Sequence, residues 1–353
     1  MSGEKITRRT FVAASLAAPA SLAAPALLRN PALAQESSLI AAAKSEKEVV
    51  WYTVQTIPQL VRPIVAAFEK KYGIKVNFIR ANASDITLRI MNEAKAGQVN
   101  CDVFDGTTTA VPLKRAGLVE KWLPEETSTF DPRTIDSEGY WVANNFFSNT
   151  LAINTELVKP ADEPKSYEDL LLPKWKGRMA WGSTPSTSAG PGFIGLMIKH
   201  LGRDKAMDFI RKLAAQNVAS MPVAARQVLD RVIAGEYAIG INMFNHHAVI
   251  SAGRGAPSKW LPVSPAMVTM ATASLMKNAP HPNAGKLFLS YLVSQEGQRI
   301  FAAEDYLPVH PKVPAKDASL IPDGKRFTGL FFTPEEGERD MEEWQNIFRA
   351  NFR

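Results

Sequence analysis

Beyond residue 47 the apolar positions change repeatedly between short strand-like runs and a spacing near 3.6, the signature of strands alternating with helices. Glu48 to Tyr52 reads as a strand. Gln59 to Tyr72 reads as a helix with apolar Leu60, Val61, Ile64, Val65 and Phe68, stopped by Gly73, and Ile74 to Ile79 as a second strand. The rhythm repeats through a helix from Ser84 to Lys95, a short buried strand from Cys101 to Phe104 and a helix from Thr109 to Arg115 closed by Gly117. Alternation at this spacing predicts a parallel sheet with helices on both faces, and ligands bind such sheets outside the carboxyl ends of the strands. Those ends hold Thr53 and Gln55 after the first strand and Thr107 and Thr108 after the third. Each segment is a turn first and a ligand loop second.

A long β-prone segment, Tyr140 to Ile153, precedes a second α/β series. Its centre is Arg178 to His200, where a short strand enters a loop of Gly, Ser, Thr and Pro and leaves through an apolar helix. Ser188 is the expected N-cap, Pro191 suits the first turn, and the free N–H groups of such an end attract anions. Ser183, Ser186, Ser188, Ala189 and Gly190 are therefore candidate ligand contacts, against the plainer reading of an ordinary capped connection. Helices follow at Arg203 to Ala215 and Val223 to Ala234, then a strand from Tyr237 to Ile241, a β-prone run from Val268 to Met276, one amphipathic helix from Asn283 to Ala302, and a charged helical tail from Pro334.

Residues 1–34 read as an export signal: Thr7-Arg8-Arg9-Thr10-Phe11-Val12 is a twin-arginine pattern, an Ala/Leu-rich run follows, and Ala32-Leu33-Ala34 fits a small-residue cleavage site. An uncleaved anchor is the alternative, although Pro19, Pro25 and Arg29 make the run a poor spanning helix. The chain carries 41 Lys+Arg and 35 Asp+Glu; without the leader the balance is 37 to 34, too mild and too scattered for nucleic acid or an anionic membrane surface. Cys101 is the only cysteine, so no internal disulfide is possible, and its setting reads as a buried thiol.

The order of several stretches carries a resemblance: Val49-Val50-Trp51-Tyr52, Phe68 to Val76, Cys101-Asp102-Val103-Phe104, Leu151-Ala152-Ile153-Asn154, Leu172 to Arg178, Gly235 to Gly240, and Ala284 to Gln298. With these the chain resembles bacterial substrate-binding proteins of extracellular solute-binding family 1, nearest the branch for ferric iron and small phosphorylated or phosphonate solutes. The resemblance implies an α/β fold, a two-lobed type II periplasmic binding protein, each lobe a mixed sheet flanked by helices and the two joined by crossover strands. Asn149 to Asn154 and Val268 to Ser274 are the expected crossovers. The expected organisation is residues 35–150 as the first part of lobe 1, 151–267 as lobe 2, and 268–353 as the second part of lobe 1 with the helical tail. It further implies a periplasmic monomer without cofactor or catalytic residues, whose partners are a small-molecule solute and the permease subunits of an ATP-powered (ABC) transporter.

Ferric members of the branch hold their metal with two adjacent tyrosines just after the strand matching Tyr237 to Ile241. Here Asn245-His246-His247 stands at that place, and none of the seven tyrosines adjoins another. Phenolate suits Fe(III) whereas imidazole suits softer ions, so the departure favours an organic anion over ferric iron. With Asn245 as N-cap, a helix from His246 to Ser251 would put both imidazoles in its first turn, where the dipole favours the neutral ring and its N–H donor. One packing and one exposed histidine is the plainer alternative. Arg226, near a helix start, is either a solvated surface residue or the best charged candidate for an anion. Structural roles suffice for His200, His281 and His310. An exported hydrolase would need one of the loop serines as nucleophile and a histidine base, but no Gly-x-Ser-x-Gly elbow, His-Glu-x-x-His, Cys-x-x-Cys or phosphate-loop motif is present. The expectation is a receptor for a small anionic solute, a carboxylate, phosphate ester or phosphonate, with a receptor for ferric or another transition-metal ion, held in part by the histidine pair, as the alternative.

Overall fold

Burial of whole strands, not only of one strand face, organises the architecture. The computed structural model describes residues 31–352, with side chains from residue 35. The predicted leader lies in residues 1–30, outside the described residues, except for its last four, which open a helix. Residues 39–353 form one unit, and the described part of the segment up to Ser38 is the start of that helix.

The helix is α1 (Pro31–Glu46), and β1 (Glu48–Thr53), α2 (Arg62–Tyr72), β2 (Lys75–Arg80), α3 (Ala83–Lys95), β3 (Val103–Gly106) and α4 (Ala110–Arg115) follow. The long strand β4 (Val142–Asn154) leads to β5 (Met179–Gly182), α5 (Gly190–Leu201), α6 (Arg203–Ala214), β6 (Ala219–Met221), α7 (Ala225–Ile233), β7 (Ile239–Phe244), α8 (Asn245–Gly253) and β8 (Ser258–Leu261). The chain returns through β9 (Ala266–Leu275), α9 (Pro282–Val293), α10 (Gln295–Ala303), β10 (Gly329–Phe331) and α11 (Pro334–Asn351).

The main sheet path runs β2-β1-β3-β9-β4-β7-β5-β6. At one end β2, β1 and β3 are parallel, with Trp51 beside Val103; at the other β7, β5 and β6 are parallel, with Met179 beside Ile239. Antiparallel β4 and β9 lie between them, from Val142 opposite Ala273 to Asn149 opposite Met267. These two strands belong to both halves, so they join the lobes. Each lobe has its own core: Trp51, Phe68 and Phe288 pack edge to face on one side, while Trp181, Phe193 and Phe209 fill the other.

Two expectations are corrected here. The single helix expected from Asn283 to Ala302 is broken at Ser294, which leaves helical geometry and caps α10 by accepting a hydrogen bond from Gly297 N–H. The tail, expected to go with the first lobe, sends Trp344, Phe348 and Phe352 into the core around Trp181. Glycines on α5 make the room. A Cβ on Gly190 would lie 2.1 Å from the Phe348 ring, and one on Gly195 would lie 2.5 Å from the Trp344 ring.

Candidate functional site

Carboxyl ends of strands from both lobes converge on a cavity of about 400 Å³. Thr56, Gln59, Arg80 and Tyr306 line it from the first lobe; Ser188, Ala224, Ala225, Arg226, Phe244, His247, Ile250 and Arg254 line it from the second. Arg80 is the last residue of β2, Arg226 lies in the first turn of α7, and Arg254 follows the end of α8. The lining therefore holds three guanidinium groups and no acidic side chain.

Arg226 is held from two sides. Its Nη1 donates to Ser251 Oγ at 2.9 Å and its Nη2 to Asp230 Oδ1 at 2.7 Å, one turn along the same helix. Asp230 occupies one face of the guanidinium but is itself exposed, so water shares its charge. His247 enters the cavity from the first turn of α8, as the sequence predicts, while the N-cap position belongs to Phe244 and not to Asn245. Burial, then the nearby Arg226 charge, pushes His247 down to about 3, and the ring is neutral at ordinary pH. Its Nδ1 is buried without a protein partner. The Tyr306 hydroxyl lies 3.2 Å from Thr56 Oγ1, and burial raises its pKa, which keeps the O–H as a donor.

The structure brings together Ser188, Arg226 and His247 from the predicted set and places the others elsewhere. His246 is packed among Phe147, Phe244 and Tyr306, with ring centroids 5.2, 5.4 and 4.5 Å away, and burial drives it well below the ordinary imidazole range. Asn245 is buried and accepts from Ser148 N–H at 3.3 Å, linking α8 to β4. Thr53 is buried and donates to Asp105 Oδ2 at 2.7 Å; Gln55 donates to Asn145 Oδ1 at 3.2 Å. Asp105 also accepts from Trp51 Nε1 and Val54 N–H, so these hydrogen bonds shape the strand end rather than face a ligand. Thr107 is half-buried and outside the cavity, and Thr108 lines a different one.

The serine loop is tied back on itself. Ser186 Oγ accepts from Ser188 N–H and lies 3.0 Å from Ser188 Oγ, while Ser183 N–H donates to Met221 O. Ala189, not Ser188, is the N-cap of α5, and its carbonyl, like that of Thr187, accepts from Asn242 Nδ2. Gly190 serves packing against Phe348. The helix end expected to cradle an anion thus contributes one side chain, Ser188. Sequence reading missed Gln59, Arg80, Arg254 and Tyr306, whereas Thr56 closes the loop after the first strand that it did single out. Only Arg80 carried a usable signal, its place at the carboxyl end of a parallel strand. Among the described residues no group of three or more His, Cys, Asp or Glu converges in a way that could hold a metal ion.

The model of the bacterial extracellular solute-binding proteins matches residues 49–306, and the chain belongs to that family. An Fe(3+)-binding periplasmic protein of Serratia marcescens is 22% identical over 73% of this chain and 77% of its own length. A putative 2-aminoethylphosphonate-binding periplasmic protein of Salmonella typhimurium is 25% identical over 76% of each chain. Ferric-binding names predominate among the curated relatives. The periplasmic binding protein AfuA of Actinobacillus pleuropneumoniae, solved with exogenous fructose-6-phosphate, superposes with a TM-score of 0.73 at 20% identity over 86% of this chain and 98% of its own. The fold is that of a type II periplasmic binding protein.

Proposed function

We propose that this protein captures a small anionic solute, a carboxylate, phosphate ester or phosphonate, between its lobes and presents it in the periplasm to the permease of an ABC importer. The family is one of binding proteins, and solute capture for an importer is its shared role. The observation that carries the anion reading is the convergence of Arg80, Arg226 and Arg254 on a cavity lined by no carboxylate. Guanidinium forks take two oxygens of one anion, and Ser188, Tyr306 and neutral His247 add hydrogen-bond donors without charge. The names of the ferric relatives favour Fe(III) as the second reading. Against it stand three cationic side chains around the cavity, a tyrosine whose deprotonation burial opposes, and a neutral imidazole in place of an anionic oxygen ligand. Export through the twin-arginine pathway belongs to the same proposal and rests on Arg8-Arg9.

A thermal-shift and calorimetric panel of carboxylates, phosphate esters, phosphonates and Fe(III) tests this. An anion at about 100 times its Kd stabilises the folded state by about 2.7 kcal/mol, a shift of several degrees. We expect binding that persists in the presence of a chelator. Tight stoichiometric Fe(III) binding with a charge-transfer band, and no anion raising the midpoint, would overturn the proposal.

A further inference from the structure

We infer that the cleft has a second, apolar compartment and that the solute is an amphipathic anion: a charged head on the arginines with a hydrocarbon or aryl extension beside it. This inference rests on the anion reading above and narrows its substrate class. A second cavity, of about 390 Å³, is lined by Leu88 and Met91 of α3, Val111 of α4, Pro185 of the serine loop and Met341 of α11. Two of its polar side chains are engaged, as Thr87 Oγ1 donates to Ala83 O at 2.9 Å and Glu338 pairs with Arg115 at 3.3 Å, and Ser84 and Thr108 add one hydroxyl each. Leu88 is 59% exposed, the most of any large apolar side chain among the described residues, and it lies within this concavity.

Proximity to the arginine cavity selects the occupant. Pro185 lines one cavity and Ser188 the other, and these residues are separated by at most about 11 Å of chain. On the opposite wall Arg80 ends β2 in the charged cavity and Ser84, in the first turn of α3, lines the apolar one. Neighbouring residues of the same two segments line the two cavities, which divide their chemistry, guanidinium groups in one and Leu, Met and Val in the other. A solute with a single charged end and an apolar remainder satisfies both, whereas a compact inorganic anion would leave the Leu88 surface in water.

The test is a calorimetric series of n-alkylphosphonates, methyl to hexyl, on the purified full chain. Affinity should rise by about two- to fourfold for each methylene that reaches the compartment. Leu88→Ser should flatten that dependence while leaving methylphosphonate affinity unchanged. Leu172→Ser, at an exposed leucine that lines neither cavity, should leave the dependence intact. Because Leu88 is exposed, its variant keeps the fold, and an unchanged thermal midpoint verifies this. Equal affinity for methyl- and hexylphosphonate overturns the apolar compartment alone and leaves the groove to a protein partner. A steep series unaffected by Leu88→Ser overturns its location. Absence of binding by every member overturns this inference, and the anion reading falls with it only if carboxylates and phosphate esters also leave the thermal midpoint unmoved.

Discussion

Arg226→Ala is the most direct probe of the cavity because the arginine is anchored at both ends of its fork without being part of a core. Its ion pair with Asp230 is an exposed contact one helical turn apart, so its loss costs the fold only about 0.3 to 0.5 kcal/mol. Binding should suffer far more. A guanidinium that gives two charge-assisted hydrogen bonds to one anion contributes about 1.5 to 3 kcal/mol per bond, and partial exposure together with competition from Asp230 argues for the lower end. We therefore expect a loss of about 3 kcal/mol, roughly 100-fold in Kd. Ser251→Ala leaves the charge but removes the acceptor that holds Nη1 at 2.9 Å, and should cost about 1 kcal/mol, roughly fivefold. Arg231→Ala is the matched control: it removes the same charge from the same helix, but Arg231 pairs with Glu236 and lines no part of the cavity. Isothermal calorimetry with the tightest anion of the panel, at two ionic strengths, separates these effects. Equal affinities for Arg226→Ala and Arg231→Ala, with unchanged melting midpoints, would refute the placement of the anion.

Two further outcomes follow from packing and protonation. In Gly195→Ala the new Cβ would meet the Trp344 ring at 2.5 Å, so overpacking of about 1 to 3 kcal/mol outweighs the helix-propensity gain of about 1 kcal/mol; urea denaturation should show a net loss, and an equal or higher midpoint would contradict the docking of α11 on α5. His246 in its aromatic packing and His247 in the cavity both have depressed pKa values in the folded state, His247 to about 3, whereas the unfolded rings take up a proton near pH 6.5. For His247, stability from this source is complete above about pH 6.5 and is lost as pH falls towards 3, by up to about 1.4 kcal/mol per unit, and the loss for His246 has the same sign. His247→Gln should make the acid limb of stability shallower, and identical limbs for the two proteins would refute the buried neutral ring.

Much of the framework was legible because it is encoded locally. Strand and helix periods placed β4 and β9 close to their observed limits and opened α8 at the His246-His247 pair, since burial of a strand or a helical stripe writes itself into successive residues. Glycine and serine at α5 also marked a loop entering a helix. Which face that loop would offer was not local. The register of β1 beside β3 put Thr53 within reach of Asp105 and withdrew a hydroxyl expected at the ligand. The left-handed residue Asn242, at a bulge in β7, directs its amide to the carbonyls of Thr187 and Ala189, fixing the entry to α5.

The same holds for the residues that do meet in the cavity. Arg226, His247 and Ser188 could be nominated from composition and element ends, but Arg80, Arg254 and Tyr306 join them only through pairing of strands and docking of helices far apart in the chain. Likewise the apolar stripe of α11 announced a buried face, while the partner was decided by Gly190 and Gly195, whose missing side chains leave room for Phe348 and Trp344. Backbone periodicity is a property of neighbours along the sequence, and it determined the elements; convergence of charge in a cleft is a property of neighbours in space, and only the tertiary packing decided it.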